Sequence, residues 1–350
     1  MSATSTSSGK HLAAILPSKG SPFEITHRPT PTPGPNEVLV AVKSVAINPI
    51  DSYQRYAGFV IDNYPAVIGS DVGGTIVSTG SAVSTDLKPG TRVSAFAPCF
   101  FKRGAPDYGA FQELVLIPAY KVTPLPDNIS FNEASVLPVA VLTAWAGFNS
   151  IGLPLNTSYT PSDKKGILIW GGASSVGSAV VQIAKSLGFI TYVTASAAHH
   201  EYLKTLGADK LFDYKLADVV DTIVNSAKED GVKIQTGYDA VGRQLKEVLE
   251  VLAKAKGEGI AQLASAVPFT DKAPKADEVE NIFVASPTDE AKPGEFAHFV
   301  FRTWLKEKLE KGEFIPSPKI RVVGKGLESL QTGLDEWEKG VSGVKIVVEL

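Results

Sequence analysis

Residues 166–188, GILIWGGASSVGSAVVQIAKSLG, pass from a strand pattern through a glycine turn into a helix pattern. The apolar run 167–170 is short and bounded by glycines, as befits a strand buried on both faces. Val176, Ala179, Val180, Ile183, Ala184 and Leu187 then recur at helical spacing, and Gly188 supplies a stop. Between them, Gly171-Gly172-Ala173-Ser174-Ser175-Val176-Gly177 sets a tight turn at a helix N-terminus. Unpaired backbone N–H groups and the helix dipole favour a pyrophosphate there. Gly172 permits the turn, and Gly177 permits close packing of helix on strand. Ser174 stands where a G-x-G-x-x-G pattern has its middle glycine, so the turn alone reads either as a nucleotide site or as a packing turn.

The surrounding text decides for the nucleotide. From about residue 126 to 287, six strand-like runs (GILIW, FITYVT, KLFDY, TGYDAV, GIAQLAS, NIFVAS) alternate with helix-period runs. That alternation implies a parallel sheet with helices on both faces, and six strands suit a complete dinucleotide fold. Residues 22–125 read differently, as short β-rich runs cut by Pro, Gly and Asp turns. The tail ends on a strand-like GVKIVVEL, so the chain is expected to return to its first domain. The predicted division is 1–126 with 288–350, and 127–287, with the site in the cleft between them.

Bulk properties narrow the partners. A 350-residue chain exceeds one ordinary core, which supports two domains. Its net charge of −3 is dispersed, with no basic block to grip nucleic acid or an anionic membrane. The partners expected are small molecules or a second copy. Cys99 is the only cysteine, which rules out an internal disulfide and any cysteine zinc cluster. The start, MSATSTSSGK, offers little to pack, and LAAIL after it is too short for a signal core. A cytoplasmic protein with a frayed N-terminus is expected.

The second strand of the parallel sheet is predicted to end at Thr194-Ala195-Ser196, without the acidic residue that would hold the ribose of NAD. No carboxylate there would repel a 2′-phosphate, so NADP is admitted. Ser196, with His199 or His200 beyond it, could donate to that phosphate; the histidines read equally as a pair capping a helix start.

Several spaced motifs then agree in order. AINPIDSYQRYAGF (46–59), YPAVIGSDVGGTIVSTG (64–80), GAFQELVLIPAYKVTPLPDNISFNEASVLPVAVLTAW (109–145) and VSGVKIVVEL (341–350) resemble the medium-chain dehydrogenase/reductases. The resemblance is to their zinc-independent quinone oxidoreductase and trans-enoyl reductase branch, and it spans nearly the whole chain. It implies an α/β fold: a GroES-like β-rich catalytic domain joined to a Rossmann domain, a doubly wound parallel sheet. The cysteine and Gly-His-Glu unit of zinc alcohol dehydrogenases are missing here, where Asn48 and Gly69-Ser70-Asp71 stand. Asp51 and Asp71 are too few ligands for zinc, so no metal is expected.

Carried over by position, the resemblance sets Asn48, Asp51 and Tyr53 beside nicotinamide and substrate; Asp51 reads equally as turn chemistry, and Tyr53 alternatively as an interfacial aromatic whose hydroxyl meets water. It sets Thr143 on the nicotinamide side, Ser174, Ser175 and Val176 at the pyrophosphate, and Ser196, His199 and Tyr214 around the adenosine phosphate of NADP(H). Ser342 and Lys345, near the closing strand, are set at the cofactor too. Leu263 and Phe283 fall at strand ends facing the cofactor, or alternatively in the core. A homodimer through the sheet domain is implied, although monomers occur among fungal relatives.

Without a metal, conjugate hydride delivery to an enone or quinone is the easier chemistry. Its charge spreads over an enolate or hydroquinone oxygen that one or two neutral donors can stabilise. Tyr53 is the first candidate donor, and Asn48 orients the cofactor or polarises the acceptor. A cofactor-binding protein with little catalysis and a zinc-free alcohol dehydrogenase are the alternatives. The loops YAGFVIDNY and FFKRGAPDYG suggest a small hydrophobic substrate, with Lys102, Arg103 and Tyr108 available to a polar group on it.

Overall fold

The computed structural model describes residues 9–287 and 294–350. The chain forms two compact units, residues 1–139 with 294–350, and residues 140–293.

The first unit is β-rich. In chain order its strands begin with β1 (Lys10–Ile15), β2 (Glu24–Pro29), β3 (Glu37–Ala46) and β4 (Asp71–Thr79), followed by β5 (Arg92–Phe96), β6 (Leu114–Pro118) and β7 (Val122–Pro124). β1 and β2 pair as an antiparallel ribbon. β3 is the hub of the main sheet, antiparallel to both β4 and β6, because EVLVAVKSVA is apolar on both faces and is buried along most of its length. Val38, Val40, Val42, Val72, Ile76, Val93, Val115 and Ile117 form one core under it. Helix α1 (Pro49–Ala57) follows β3 and turns back after Gly58, whose φ of 66° gives a left-handed cap.

Residues 127–139 belong to this unit, which corrects the predicted boundary at 126/127. Ser130 caps α2 (Phe131–Ser135) by accepting from the Glu133 N–H. Polar contacts then tie the segment to the β-sheet: the Ser94 hydroxyl donates to the Ala134 carbonyl at 2.7 Å, and Asn132 donates to Glu349 at 2.9 Å. The division falls instead at 139/140, early in α3 (Pro138–Ser150). The other predicted boundary, 287/288, abuts residues 288–293, which lie outside the described residues.

The second unit holds the parallel sheet, with β8 (Lys165–Trp170), β9 (Ile190–Thr194), β10 (Lys210–Phe212), β11 (Lys233–Asp239), β12 (Ala261–Ser265) and β13 (Val279–Phe283). Every pairing is parallel, and the order is β10-β9-β8-β11-β12-β13. Counted from β8 this is 3-2-1-4-5-6, the doubly wound dinucleotide order, whose switch point lies at β8. Helices α4 (Ser175–Ser186), α5 (His200–Thr205), α6 (Val219–Asp230) and α7 (Leu245–Ala255) connect the strands. Residues 131–150 are apolar and long enough to span a bilayer by composition alone, but most of that stretch is buried inside the protein, as in a core helix.

After the second unit the chain returns to the first. β14 (Lys319–Lys325) pairs parallel with β15 (Val344–Glu349), and β15 pairs antiparallel with β3. The return predicted from GVKIVVEL is therefore real.

Candidate active site

The glycine turn sits where β8 hands over to α4. The Gly172 N–H donates to the Thr194 carbonyl at 2.9 Å, so the turn is pinned to the end of β9. A Cβ on Gly172 would stand 2.2 Å from Val193 Cγ1, and one on Gly177 2.2 Å from the Gly171 carbonyl oxygen. Neither gap admits a side chain, so both glycines are fixed by packing. Ser174 is the N-cap: its hydroxyl accepts from the Gly177 N–H at 3.0 Å and donates to the Gly171 carbonyl at 2.8 Å. The residue that breaks the glycine pattern thus closes the turn. Ser175 differs, because its Oγ is buried without a hydrogen-bond partner among the described residues. An orphan hydroxyl beside Val176 in the first turn of a twelve-residue helix is the donor set a pyrophosphate would take. A dinucleotide fits here.

Beyond β9, Ser196 precedes a short helical turn that His199 ends, and Tyr214 follows β10, all partly buried. The His200 ring lies 3.1 Å from the Ala195 carbonyl. The Asp213 carboxylate stands in this neighbourhood and accepts from the Ala197 N–H at 3.3 Å and the Lys215 N–H at 3.0 Å. Those bonds hold its pKa below the usual carboxylate range, so it is ionised at neutral pH. Sequence reasoning sought an acid only at the end of β9 and missed this one, which arrives from the next strand.

Thr143 lies on α3, its carbonyl accepting from the Tyr238 hydroxyl at 2.8 Å. Phe283 ends β13 and is 45 % exposed. Leu263 requires a correction: it sits mid-strand in β12, between Gly237 and Asn281 in the ladder, and is wholly buried in the core. Its side chain is fixed by packing, the second of the two readings the sequence offered.

In the first unit, the register of β15-β3-β4 assembles a buried polar cluster. Val347 pairs with Ala46, and Ala46 with Asp71, which brings Lys345, Asn48 and Asp71 to one end of three adjacent strands. The Asn48 side chain donates to Asp71 at 2.8 Å and to the Ala46 carbonyl at 3.2 Å, and its Oδ1 accepts from the Lys345 ammonium. Lys345 lies 3.3 Å from Asp71. The Val139 N–H also donates to Asp71, at 2.8 Å. Burial pushes the Asp71 pKa up, while the Lys345 charge and these donors oppose it; they are the surroundings an ionised carboxylate needs.

This cluster narrows the readings offered for Asn48 and Asp51. Both amide hydrogens of Asn48 are already donated inside the protein, so it has none left to polarise a substrate. Asp51 is fully buried on α1, where its carboxylate accepts the Asn48 N–H at 2.8 Å and closes the first turn. Burial pushes its pKa up to about 7, with the negative charge of Asp71 adding to the effect. Its other oxygen has no partner among the described residues. Both are positioning residues. Lys345, expected at the cofactor, is 5 % exposed and commits its ammonium to Asn48 and Asp71.

Tyr53, three residues after Pro49-Ile50 on the same helix, is 49 % exposed and points out of this frame. Arg103 pairs with Asp62 at 2.5 Å, and the Tyr108 hydroxyl donates to Glu37 at 2.9 Å. Lys102 lies 4.8 Å from the Tyr108 ring centroid. Ser342 is exposed in the loop before β15.

Residues 34–127 match the family described as alcohol dehydrogenase GroES-like domain, and residues 175–261 that described as zinc-binding dehydrogenase. A trans-enoyl reductase of Aspergillus flavipes is 46% identical over 342 residues, covering 97% of this chain and 99% of its own. The chain belongs to the medium-chain dehydrogenase/reductases, in their trans-enoyl reductase branch. A trans-enoyl reductase of Aspergillus terreus is 48% identical over 284 residues, 80% of this chain and 94% of its own. Among solved structures, a quinone oxidoreductase from Coxiella burnetii superposes with a TM-score of 0.71 at 22% identity, over 97% of this chain and 99% of that one. An alcohol dehydrogenase superfamily protein from Novosphingobium aromaticivorans gives a TM-score of 0.77 at 21% identity, over 97% and 99%. These two establish the shared fold.

The second family description names zinc, and the donor set does not fit it. Among the described residues no group of three or more His, Cys, Asp or Glu stands together. Asp71 already faces an ammonium, and the Cys99 thiol is pushed up to about 12, first by burial and then by the Asp51 charge. No step below runs through a metal.

Proposed function

We propose that this enzyme is an NADPH-dependent reductase that delivers hydride to the activated C=C bond of an enone or enoyl compound, or to a quinone. The observation that carries the reading is the near full-length identity to a trans-enoyl reductase. The site chemistry supports it, since Tyr53 is exposed on α1 and offers a phenol as donor. The family and its nucleotide fold supply a nicotinamide cofactor; Ser196, His199 and Tyr214 are the groups we assign to the 2′-phosphate of NADPH.

When bound, the reduced nicotinamide supplies the hydride, which goes to the β-carbon of the acceptor. The displaced π pair moves onto the carbonyl oxygen, and Tyr53 donates its O–H to that developing oxyanion. A proton from water then completes the α-carbon. Asn48, Asp71 and Lys345 fix the strand ends from which α1 projects, and Asp51 fixes the first turn of α1, so the phenol is held by a rigid base. The family resemblance also supports a cytosolic homodimer, which light scattering on the purified protein tests.

The deciding experiment follows NADPH oxidation against enoyl thioesters, enones and quinones, with chelator present throughout. Turnover of a conjugated acceptor with saturated product is expected. Activity that is lost to chelator and returns with zinc would overturn the reading, as would cofactor binding without turnover of any acceptor.

A further inference from the structure

Lys121 ends a short helical turn (Ala119–Lys121) just before β7, and only 8 % of it is exposed. Its Nζ stands 4.3 Å from the ring centroid of Phe101, 4.8 Å from that of Phe96 and 6.0 Å from that of Tyr120. Among the described residues it has neither a carboxylate within ion-pair distance nor a hydrogen-bond acceptor. The titratable groups acting on it are Lys102 and the Cys99 thiol. The helical segment 295–305 packs on the same turn and carries Glu295, His298 and Arg302. Arg302 is spent on the Val122 carbonyl at 3.2 Å and on Asp86 at 2.5 Å.

Two influences compete at this amine. Ring faces attract an ammonium, yet they accept no proton and return none of its lost hydration. Burial and the like charge of Lys102 both disfavour the charged form, and the pKa falls to about 8. A desolvated lysine beside a second cation is the arrangement that turns an amine into a nucleophile at neutral pH. One wall of the cage reaches the surface, since Phe101 is 42 % exposed. The proposed reduction makes no use of this group.

We propose that Lys121 is a nucleophilic lysine, a covalent site for aldehydes and activated acyl groups enclosed by Phe96, Phe101 and Tyr120. With an aldehyde, the lone pair of the neutral amine attacks the carbonyl carbon and gives a carbinolamine. The C–O bond then breaks and water departs, carrying the oxygen and both amine protons, to leave an imine. With an activated acyl group, the N–C bond forms, the leaving group departs with its electron pair, and the amine proton passes to water.

The test labels the whole protein with limiting N-hydroxysuccinimidyl acetate from pH 6.5 to 10.5 and quantifies each lysine by peptide mass spectrometry. Lys121 should acetylate about tenfold faster per pH unit up to about pH 8 and then level off. The Lys102→Met variant should move the Lys121 plateau to higher pH. Butyraldehyde with cyanoborohydride should alkylate Lys121 first, and Lys121→Arg should lose that adduct while keeping NADPH oxidation. A Lys121 profile that climbs past pH 10 would show an ammonium secured by the rings and overturn the proposal. Slower labelling than Lys19 at pH 8 would show a closed cage and overturn it equally.

Discussion

Replacing Asp51 by Asn tests the electrostatics of the buried cluster directly. The Asp51 carboxyl is wholly buried, and its pKa rises from 3.8 to about 7. Below pH 4 the folded and unfolded chains both hold this proton, and stability does not depend on it. Between pH 4 and 7 the folded chain keeps a proton that the unfolded chain releases, so each pH unit removes about 1.4 kcal/mol of stability. Above pH 7 both forms are ionised and the loss is complete, about 4 kcal/mol in all. Asparagine cannot ionise, and its carbonyl oxygen still accepts the Asn48 N–H. Its amide meets the partnerless side of the old carboxylate, at a cost of about 1–3 kcal/mol that is independent of pH. The variant should therefore be less stable than the parent at pH 4.5 and more stable by about 1–3 kcal/mol at pH 8.5. Urea unfolding of both proteins at matched pH values reads this difference, and the titration of other groups cancels in it. A difference that stays flat with pH, or moves against the variant as pH rises, would show that Asp51 is ionised in the fold and would refute the reasoning.

Tyr53→Phe should lower kcat/KM for the conjugated acceptor about 10²-fold and leave the NADPH Kd unchanged; unaltered turnover would remove Tyr53 as the donor. Lys345→Met strips the buried Asp71 carboxyl of its counter-charge, and should cost about 3–5 kcal/mol in urea unfolding at neutral pH. Adding Asp71→Asn to it should recover part of that loss, and a purely additive double variant would contradict the pairing. Asp213→Asn removes the carboxylate near Ser196 and should raise the preference for NADPH over NADH about two- to fivefold, read from paired kcat/KM values. Ser175→Ala should weaken NADPH binding about three- to tenfold by titration calorimetry, with the melting temperature of the free protein unchanged.

The parallel sheet was legible because its signals are local. Each βα unit carries its own apolar run, turn and helix period, and GILIWGGASSVGSAVVQIAKSLG contains a complete copy of that grammar. The unit boundary was less legible. PDNISFNEASVLP reads as a plain connection, and only the Ser94–Ala134 and Asn132–Glu349 contacts show that it folds against the β-sheet. Leu263 was left between two readings for a related reason. A five-residue strand gives no sequence mark of which residue is its end, and the ladder puts Ser265, not Leu263, opposite Phe283.

The candidate site was legible in its members and misread in their roles. Asn48 and Asp51 stand in a motif that invites a catalytic reading, but their partners are fixed by sheet register across long separations. Lys345 is 297 residues from Asn48, and Asp71 is 23. No periodicity links these positions; only the adjacency of β15, β3 and β4 does. Once that adjacency is known, the charges in the first unit's motif cancel inward. The ammonium of Lys345 answers Asp71, the amide of Asn48 is spent between them, and Asp51 sits near its own midpoint at pH 7. What α1 turns outward is a phenol, a donor strong enough to steady charge spread over an enolate or hydroquinone but too weak to gather it on a single alkoxide. In the mechanism we propose, the preference for conjugated acceptors then follows from the strand register that pairs Lys345 with Asp71 beneath Tyr53.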